Sequence, residues 1–373
     1  MPPFELQKRR MKILLLAHER DDHAAPVRWA LTQAGYHSEC HGGVSAVAGE
    51  HASLVFNTGI VNSEPAVILG TMAVKRGDTV WFREPNLPVP EPSVSPAAKF
   101  LGFWHEIVAL LERLPARCIN KPSATNLINN KAVQLLLAGK AGLRVPATVM
   151  SNAPAAVRKF FDQYPVGAVC KPFVPHIWQR QDSKDTAVAE TFPLTREQLP
   201  ADEVFTYAPA IYQQRIDKQF DVRTVLMGRH IYSFALRTPA NSLDWRFDAA
   251  ISNLDVQIIL TPAEVENELL AFAQISGICF GSADFAVDRQ GRWWFLEINE
   301  QGQFLWLEQY NPQAALLQKF CAFLTADEDA GASLEDRQGL FPSFLDYDKA
   351  HPDRETLDIR HATADAPFKS LEP

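Results

Sequence analysis

Glu297 and Asn299 lie two residues apart in "RWWFLEINEQGQFLWLE" (292–308), inside an apolar run of Trp293, Trp294, Phe295, Leu296 and Ile298. Such a run has the composition of a strand entering a core, and residues i and i+2 of a strand point to one face. A buried face does not take a carboxylate and an amide side by side unless something there accepts them. Asp284 precedes them on "GSADFAVDRQGRWWFLEIN", which reads as a hairpin turning near Asp288 to Gly291. Strands across a tight hairpin are about 5 Å apart, so Asp284 can join the pair. Two carboxylates and an amide oxygen are hard ligands, suited to Mg²⁺ that keeps some waters and shares its shell with substrate phosphates. The plain alternative, an exposed acidic hairpin end, fits poorly with the aromatic flanks.

Two lysines supply charge of the opposite sign. Lys131 opens a helix, and Lys171 sits in the strand "VCKP" beside Ala168, Val169 and Cys170. A strand lysine with such neighbours is costly to bury without an anion, so both are candidates for ATP phosphates. Each alone also reads as a surface lysine laying its stem over apolar groups. In "YQQRIDKQFDVR" (212–223) a strand, a short crossing and a new strand follow one another. The backbone of Gln213, Gln214, Arg215 and Ile216 can offer an adenine one C=O and one N–H, and Lys218, Asp221 and Arg223 line the route to the phosphates. "HSECH" (37–41) is a loose metal-like cluster of His37, Cys40 and His41, with no second cluster to complete four ligands. Gly-x-Ser-x-Gly, His-Glu-x-x-His and P-loop signatures are absent.

The elements that must position these residues are legible from periodicity. Short strands are expected at 11–17, 53–57, 66–70 and 79–84, with a helix over 27–36 that ends at Gly35. This is a small α/β domain with some parallel pairing, spanning 11–115. A proline-rich connector (84–96) leads into an amphipathic helix at 97–114. A central unit over 116–209 has a helix from about Asn130 to Ala141 stopped by Gly142, strands at 145–150 and 168–173, and a strand at 186–194 expected to pair with the latter. A third unit over 210–325 begins with the strand 210–216. It has two hairpins (221–237 and 281–299), a helix at 262–276 and another around 311–325. Residues 326–373 read as a tail, partly mobile.

The chain has 373 residues, 47% apolar and 21% charged, which fits a folded enzyme of two or three domains. A net charge of −8 gives no field for holding nucleic acid or an anionic membrane. Five dispersed cysteines without Cys-x-x-Cys fit reduced thiols in the cytoplasm. The basic start has an apolar run too short for a signal peptide, and Met11 is a candidate start after a loose extension. No run approaches the roughly 18 apolar residues of a membrane span.

Taken in order, Lys131, Lys171, Gln213-Gln214-Arg215-Ile216, Asp221-x-Arg223, Asp284 and Glu297-x-Asn299 resemble the ATP-grasp fold of carboxylate–amine ligases. The chain is similar in more detail to the graspetide (microviridin-type) peptide maturases. "VWFREP" (80–85), "CINKPSATNLINNKAVQLLLAGKAGLRVPATVMSN" (118–152), "LDWRF" (243–247) and "FLEINEQGQFLWLE" carry that likeness, over roughly residues 11–325. One departure is the loop after Lys171, "FVPHIWQRQDSKD", which lacks the glycines that many ATP-grasp enzymes fold over phosphates. The resemblance implies an α/β chain, with a small pre-ATP-grasp domain and two ATP-grasp subdomains holding the nucleotide between them.

The site then suggests a reaction. A carboxylate is a poor electrophile; phosphorylated by ATP it becomes an acyl phosphate whose phosphate leaves readily. Asp284, Glu297 and Asn299 are expected to hold Mg²⁺, and Lys131 and Lys171 the phosphates. Asp221 lies beside them. Arg223, Arg237 and Arg246 are available for the γ-phosphate or a substrate carboxylate, which a planar guanidinium matches bidentately. The resemblance implies a precursor peptide with leader and core as substrate, its Asp/Glu side chains joined to Thr, Ser or Lys as ester or amide rings, and leaves room for a homodimer. The rival readings are a ligase that adds an amino acid to a small molecule or protein terminus, and a nucleotide-binding protein without turnover.

Overall fold

A computed structural model of the protein describes residues 11–43, 51–56, 65–84, 96–164, 167–173, 177–179, 186–188, 191–207, 209–238, 254–326 and 333–354. The N-terminal strands are β1 (Lys12–Leu16), β2 (His37–His41), β3 (Ala52–Val55), β4 (Ala66–Leu69), β5 (Met72–Val74), β6 (Thr79–Phe82) and β7 (Arg117–Ile119), with helices α1 (Ala24–Gln33) and α2 (Pro96–Leu111). The sheet β2-β1-β6-β7 is parallel throughout, as the strand–helix–strand order suggested. β3, β4 and β5 form a separate antiparallel sheet.

Next come α3 (Pro122–Ile128), α4 (Lys131–Lys140), β8 (Thr148–Ser151), α5 (Pro154–Gln163), β9 (Ala168–Lys171), β10 (Ile177–Gln179), β11 (Thr186–Val188), β12 (Phe192–Leu194), α6 (Asp202–Tyr207) and β13 (Ala210–Gln214). The central sheet has the order β12-β9-β13-β8. The strand expected over 186–194 is two strands: β12 pairs with β9, whereas β11 pairs with β10. β14 (Lys218–Met227), β15 (His230–Arg237), β16 (Asp255–Ile259), β17 (Phe280–Asp288) and β18 (Trp293–Asn299) form the C-terminal sheet, ordered β16-β15-β14-β17-β18 and backed by α7 (Ala263–Ser276). α8 (Trp306–Tyr310), α9 (Leu316–Thr325), α10 (Leu334–Gln338) and α11 (Phe344–Ala350) follow.

Packing divides the chain elsewhere than at 115/116 and 209/210. β7 extends the N-terminal sheet to Ile119, and β13 lies inside the central sheet, bonded to both β8 and β9. Ala124 and Ile128 of α3 and Ala138 of α4 join the apolar core beneath the C-terminal sheet, with Val222, Phe272, Phe295 and Ile298. The residues expected to be a loose tail include α10 and α11, whose Leu334, Phe344 and Tyr347 enter the core shared by the N-terminal domain and α9. Among the described residues no helix is long and apolar enough to cross a membrane. All five cysteines are free thiols.

Candidate active site

The site is built on one face of the C-terminal sheet. Arg223 pairs with Asp284 across β14–β17, and Asp284 with Glu297 across β17–β18, so the three form one row. Asn299 pairs with Ser282, one step along, and shares that face. A bulge between Asp284 and Phe285 leaves Leu296 as the extra residue of β18. Phe295 and Ile298 therefore both reach the core beneath the sheet, although they lie three positions apart. The bulge lets an apolar strand keep its grip below while turning Glu297 and Asn299 upward.

β18 is an edge strand, and its outer backbone groups have side-chain partners. Gln134 of α4 donates to Ile298 O at 2.9 Å and accepts from Ile298 N at 2.9 Å, holding the residue between Glu297 and Asn299. Asn120, 2% exposed, accepts from Cys279 N and Phe280 N at 2.8 and 2.9 Å. Its Nδ2 donates to Phe280 O at 2.8 Å and Glu300 O at 3.1 Å, so one amide fastens the start of β17 to the end of β18. Gly302 follows at φ +87, where a Cβ would stand 2.3 Å from the Phe280 ring; only glycine fits.

Above this floor lies an open cleft against the central sheet, lined by Lys171, Gln213 to Ile216, Lys218, Asp221, Asp284 and Glu297. Val169, Ala286 and Leu296 give it apolar walls suited to the faces of a base. Lys171 Nζ donates to Gln213 Oε1 at 3.0 Å, and Gln213 Nε2 donates to Thr148 Oγ1 at 3.1 Å, which aims the Gln213 oxygen at the lysine. Gln214 binds Ala147 through its backbone N–H (2.8 Å) and its Oε1 (3.4 Å), so its side chain anchors the crossing. The Ile216 carbonyl accepts from Lys218 N at 2.9 Å. Lys218 and Asp221 form an ion pair at 2.6 Å at this end. Lys131 Nζ stands 3.3 Å from Glu297 Oε2, beside Lys171.

The arginines fall elsewhere. Arg223 is buried and does not line the cleft: Nη1 donates to both Asp284 oxygens at 2.9 Å, and Nη2 donates to Gly302 O at 3.0 Å. In this structure it supports a carboxylate of the site instead of facing a γ-phosphate. Arg237 is on the opposite face of the sheet, its guanidinium 4.1 Å from the Phe220 ring centroid, because Asp221 pairs with Leu236 and places Arg237 beside Phe220. It is not brought to the cleft. Arg246, the "LDWRF" stretch and most of the loop after Lys171 lie outside the described residues.

Asp284 and Glu297, directly opposed with Asn299 alongside, are a hard-oxygen set that fits a divalent cation. Among the described residues no three His, Cys, Asp or Glu side chains gather as a metal site. Two carboxylates and an amide leave shell positions for water and phosphate oxygens, which matches Mg²⁺ better than a closed site. The "HSECH" cluster is dispersed: His37 pairs with Glu39 at 2.9 Å and Cys40 Sγ donates to Ala17 O.

A second polar cluster, missed in the sequence, borders the site from the N-terminal domain. Asp21 accepts from His23 N and Ala24 N at 3.0 and 2.7 Å, capping α1, and also meets Arg83 Nε at 3.3 Å. Burial alone would raise its pKa, but Arg83 and those N–H groups hold it below the usual carboxylate value. Burial, with Arg83 and Arg223 nearby, pushes His23 down to about 3, so its ring is neutral.

No known family model matches the sequence, and no curated protein sequence matches it. Solved structures do. A RiPP-associated ATP-grasp ligase from Chryseobacterium gregarium, in complex with ADP and a leader and core peptide, aligns with a TM-score of 0.72 at 22% identity, over 87% of this chain and 99% of its own. The macrocyclase MdnC from Microcystis aeruginosa MRC, bound with precursor peptide MdnA, aligns at 0.69 and 23%, over 84% and 99%. The ATP-grasp ligase PsnB, complexed with a minimal precursor, Mg and ADP, aligns at 0.62 and 20%, over 84% and 98%. The chain has the α/β fold of these ATP-grasp ligases.

Proposed function

We propose that this protein is an ATP-dependent carboxylate ligase that activates Asp or Glu side chains of a ribosomally made precursor peptide and closes ester or amide rings. The observation that carries the reading is the cleft itself. Lys171 and Lys131 stand over the Asp284–Glu297 pair, and the 213–216 crossing closes one end, on the fold shared with peptide-bound ATP-grasp ligases. Lys131 and Lys171 would hold phosphate oxygens, the 213–216 backbone the base, and Asp284, Glu297 and Asn299 Mg²⁺. A cation held there would neutralise charge on the transferring phosphoryl group.

In this reaction a peptide carboxylate oxygen bonds to the γ-phosphorus as ADP leaves. A Thr or Ser hydroxyl or Lys amine then bonds to the acyl carbon, phosphate leaves, and the nucleophile's proton is released. A leader and core peptide as partner, action in the cytoplasm, a homodimeric state and no engagement of nucleic acid or membrane belong to the same reading. The test uses the protein with ATP, Mg²⁺ and a peptide from a short open reading frame beside its gene that has a Thr/Ser/Lys- and Asp/Glu-rich core. Expected products are ADP, phosphate and a peptide lighter by one water per ring, and hydroxylamine should trap the activated acid as a hydroxamate. A peptide that gains mass favours the addition of a second reactant. AMP as product overturns the chemistry, and tight nucleotide binding without phosphate release favours a binding protein.

A further inference from the structure

Asn299 is oriented from the N-terminal domain. Its Nδ2 donates to Gln303 Oε1 at 2.6 Å, and its Oδ1 accepts the Gln301 backbone N–H at 2.9 Å. Gln303 is 2% exposed, and its Nε2 donates to Glu84 Oε1 at 3.3 Å. Glu84 also accepts from Arg83 Nη1 at 2.8 Å. The direction of every bond follows from the carboxylate. An ionised Glu84 only accepts, so Gln303 must turn its NH₂ to it and its oxygen to Asn299. That oxygen only accepts, so Asn299 must turn its own NH₂ to Gln303 and keep its oxygen for Gln301 and for a cation. Without Glu84 the Gln303 amide could flip and set its NH₂ against that of Asn299, leaving the Gln301 N–H alone to hold the Asn299 oxygen where a metal needs a lone pair.

The backbone singles out the same residues. Among the described residues three non-glycines have positive φ, and two of them are Glu84 (φ 42) and Gln303 (φ 43), bonded to each other. Such a residue is strained and persists where its surroundings over-determine it. The Gln303 carbonyl accepts from Trp306 Nε1 at 2.8 Å and from Arg223 Nη2 at 3.4 Å, which pins the loop from its other side.

We infer that Glu84 and Gln303 are positioning residues for the cation: they fix the polarity of the Asn299 amide, and the N-terminal domain thereby sets the affinity of the metal site. This rests on the ATP·Mg²⁺ reading of the cleft. Outer partners of metal ligands typically change metal affinity about 10–100-fold.

The test is ADP binding by calorimetry on the full chain across a Mg²⁺ titration, with no turnover involved. Gln303→Glu sets two carboxylates against each other and should raise the Mg²⁺ half-saturation about ten-fold or more, with metal-free ADP affinity unchanged. Glu84→Gln keeps an acceptor oxygen and should change little. In the double variant Glu84→Gln/Gln303→Glu, the amide introduced at 84 donates to the carboxylate introduced at 303, which still accepts from Asn299, so Mg²⁺ dependence should return towards wild type. A bare loop clasp predicts recovery of thermal stability without recovery of Mg²⁺ dependence, and that result overturns the inference. Should Gln303→Glu not fold, Glu84→Gly deletes the carboxylate while relieving the positive φ, and an unchanged Mg²⁺ dependence there is equally fatal. Wild-type protein whose ADP affinity ignores Mg²⁺ removes the reading of the cleft together with this inference.

Discussion

Arg223 grips Asp284 from behind: one guanidinium nitrogen donates to both carboxylate oxygens at 2.9 Å, while the other reaches the carbonyls of Gly302 and Gln303. The side chains are 4% and 14% exposed, so the pair is largely out of water. Removing one partner of a buried pair leaves the other uncompensated and typically costs about 3–5 kcal/mol. Arg223→Ala is therefore expected to lower the thermal midpoint by several degrees and to weaken Mg²⁺-dependent nucleotide binding. Arg223→Lys keeps the charge but not the fork, and should recover only part of the loss. Thermal unfolding that matches wild type in both variants would show that the pair carries no weight.

Lys171 is aimed by a relay that ends at Thr148. If Lys171 holds a phosphate as a charge-assisted donor, its loss costs about 1.5–3 kcal/mol, or roughly ten- to a hundred-fold in nucleotide affinity. Thr148→Val is isosteric but cannot accept from Gln213, so Gln213 loses the contact that fixes its amide. Nucleotide affinity should fall in that variant too, by less. A nucleotide titration in which Thr148→Val matches Lys171→Ala, or in which neither differs from wild type, contradicts this relay.

Local pattern was enough to read the strands 12–16, 79–82 and 280–288, the helices α4 and α7, and the shared face of Glu297 and Asn299. The strand is regular between those two residues, so alternation holds there. It fails one residue earlier, where the bulge at Leu296 shifts Phe295 to the other face, and no residue type marks that bulge. Arg237 falls outside the cleft because the Gly228–Arg229 turn sets Asp221 opposite Leu236, which sends Arg237 to the far side. The partnership of Glu84 with Gln303 joins residues 219 positions apart, and no local signal could have shown it. The C-terminal helices do carry a local signal: Ser343-x-x-Asp346 is a capping box, and the Ser333 side chain caps α10 by accepting from Asp336 N.

Those helices matter for stability. Tyr347 meets Trp29 of α1 edge-on with ring centroids 5.4 Å apart, and Phe341 stacks on Tyr36 at 5.8 Å. The Glu308 carboxyl accepts from both Leu317 N and Phe344 N, at 2.7 and 3.2 Å, tying α8, α9 and α11 together. Phe344 is 1% exposed, and truncating a phenylalanine so buried costs about 3–5 kcal/mol. Phe344→Ala should unfold at lower urea while keeping wild-type nucleotide affinity, because the cleft lies elsewhere. A chain ending at Ala326 exposes Trp29 and Tyr36 and should be less stable still. Equal urea midpoints for that chain and the full-length protein would mean that the C-terminal helices add nothing.

His23 makes acid stability a probe of the domain junction. Its ring is buried against Phe304, with Arg83, Asp21 and Arg223 as the charged groups around it, and neither ring nitrogen has a hydrogen-bond partner among the described residues. Burial first, then the two arginines, lower its pKa from 6.5 to about 3, against the smaller upward pull of Asp21. Between these values the unfolded chain binds a proton that the folded one refuses. Stability from this group is therefore whole above pH 6.5 and drains as pH falls towards 3, by about 5 kcal/mol in full. Glu308, raised by burial to about 7, works the other way: its contribution is present below pH 4.5 and is lost as pH rises through 7. That term is common to wild type and a His23 variant and cancels in their difference. His23→Asn places a polar side chain favoured at the N-cap position before α1 and cannot titrate. Urea unfolding at pH 7.5, 6, 5.5 and 5, all above the ordinary carboxylate values, should show the wild type losing ground steadily against His23→Asn. Parallel curves over that window would mean that His23 is free to take up a proton in the folded protein, and that the junction is wetter than its packing indicates.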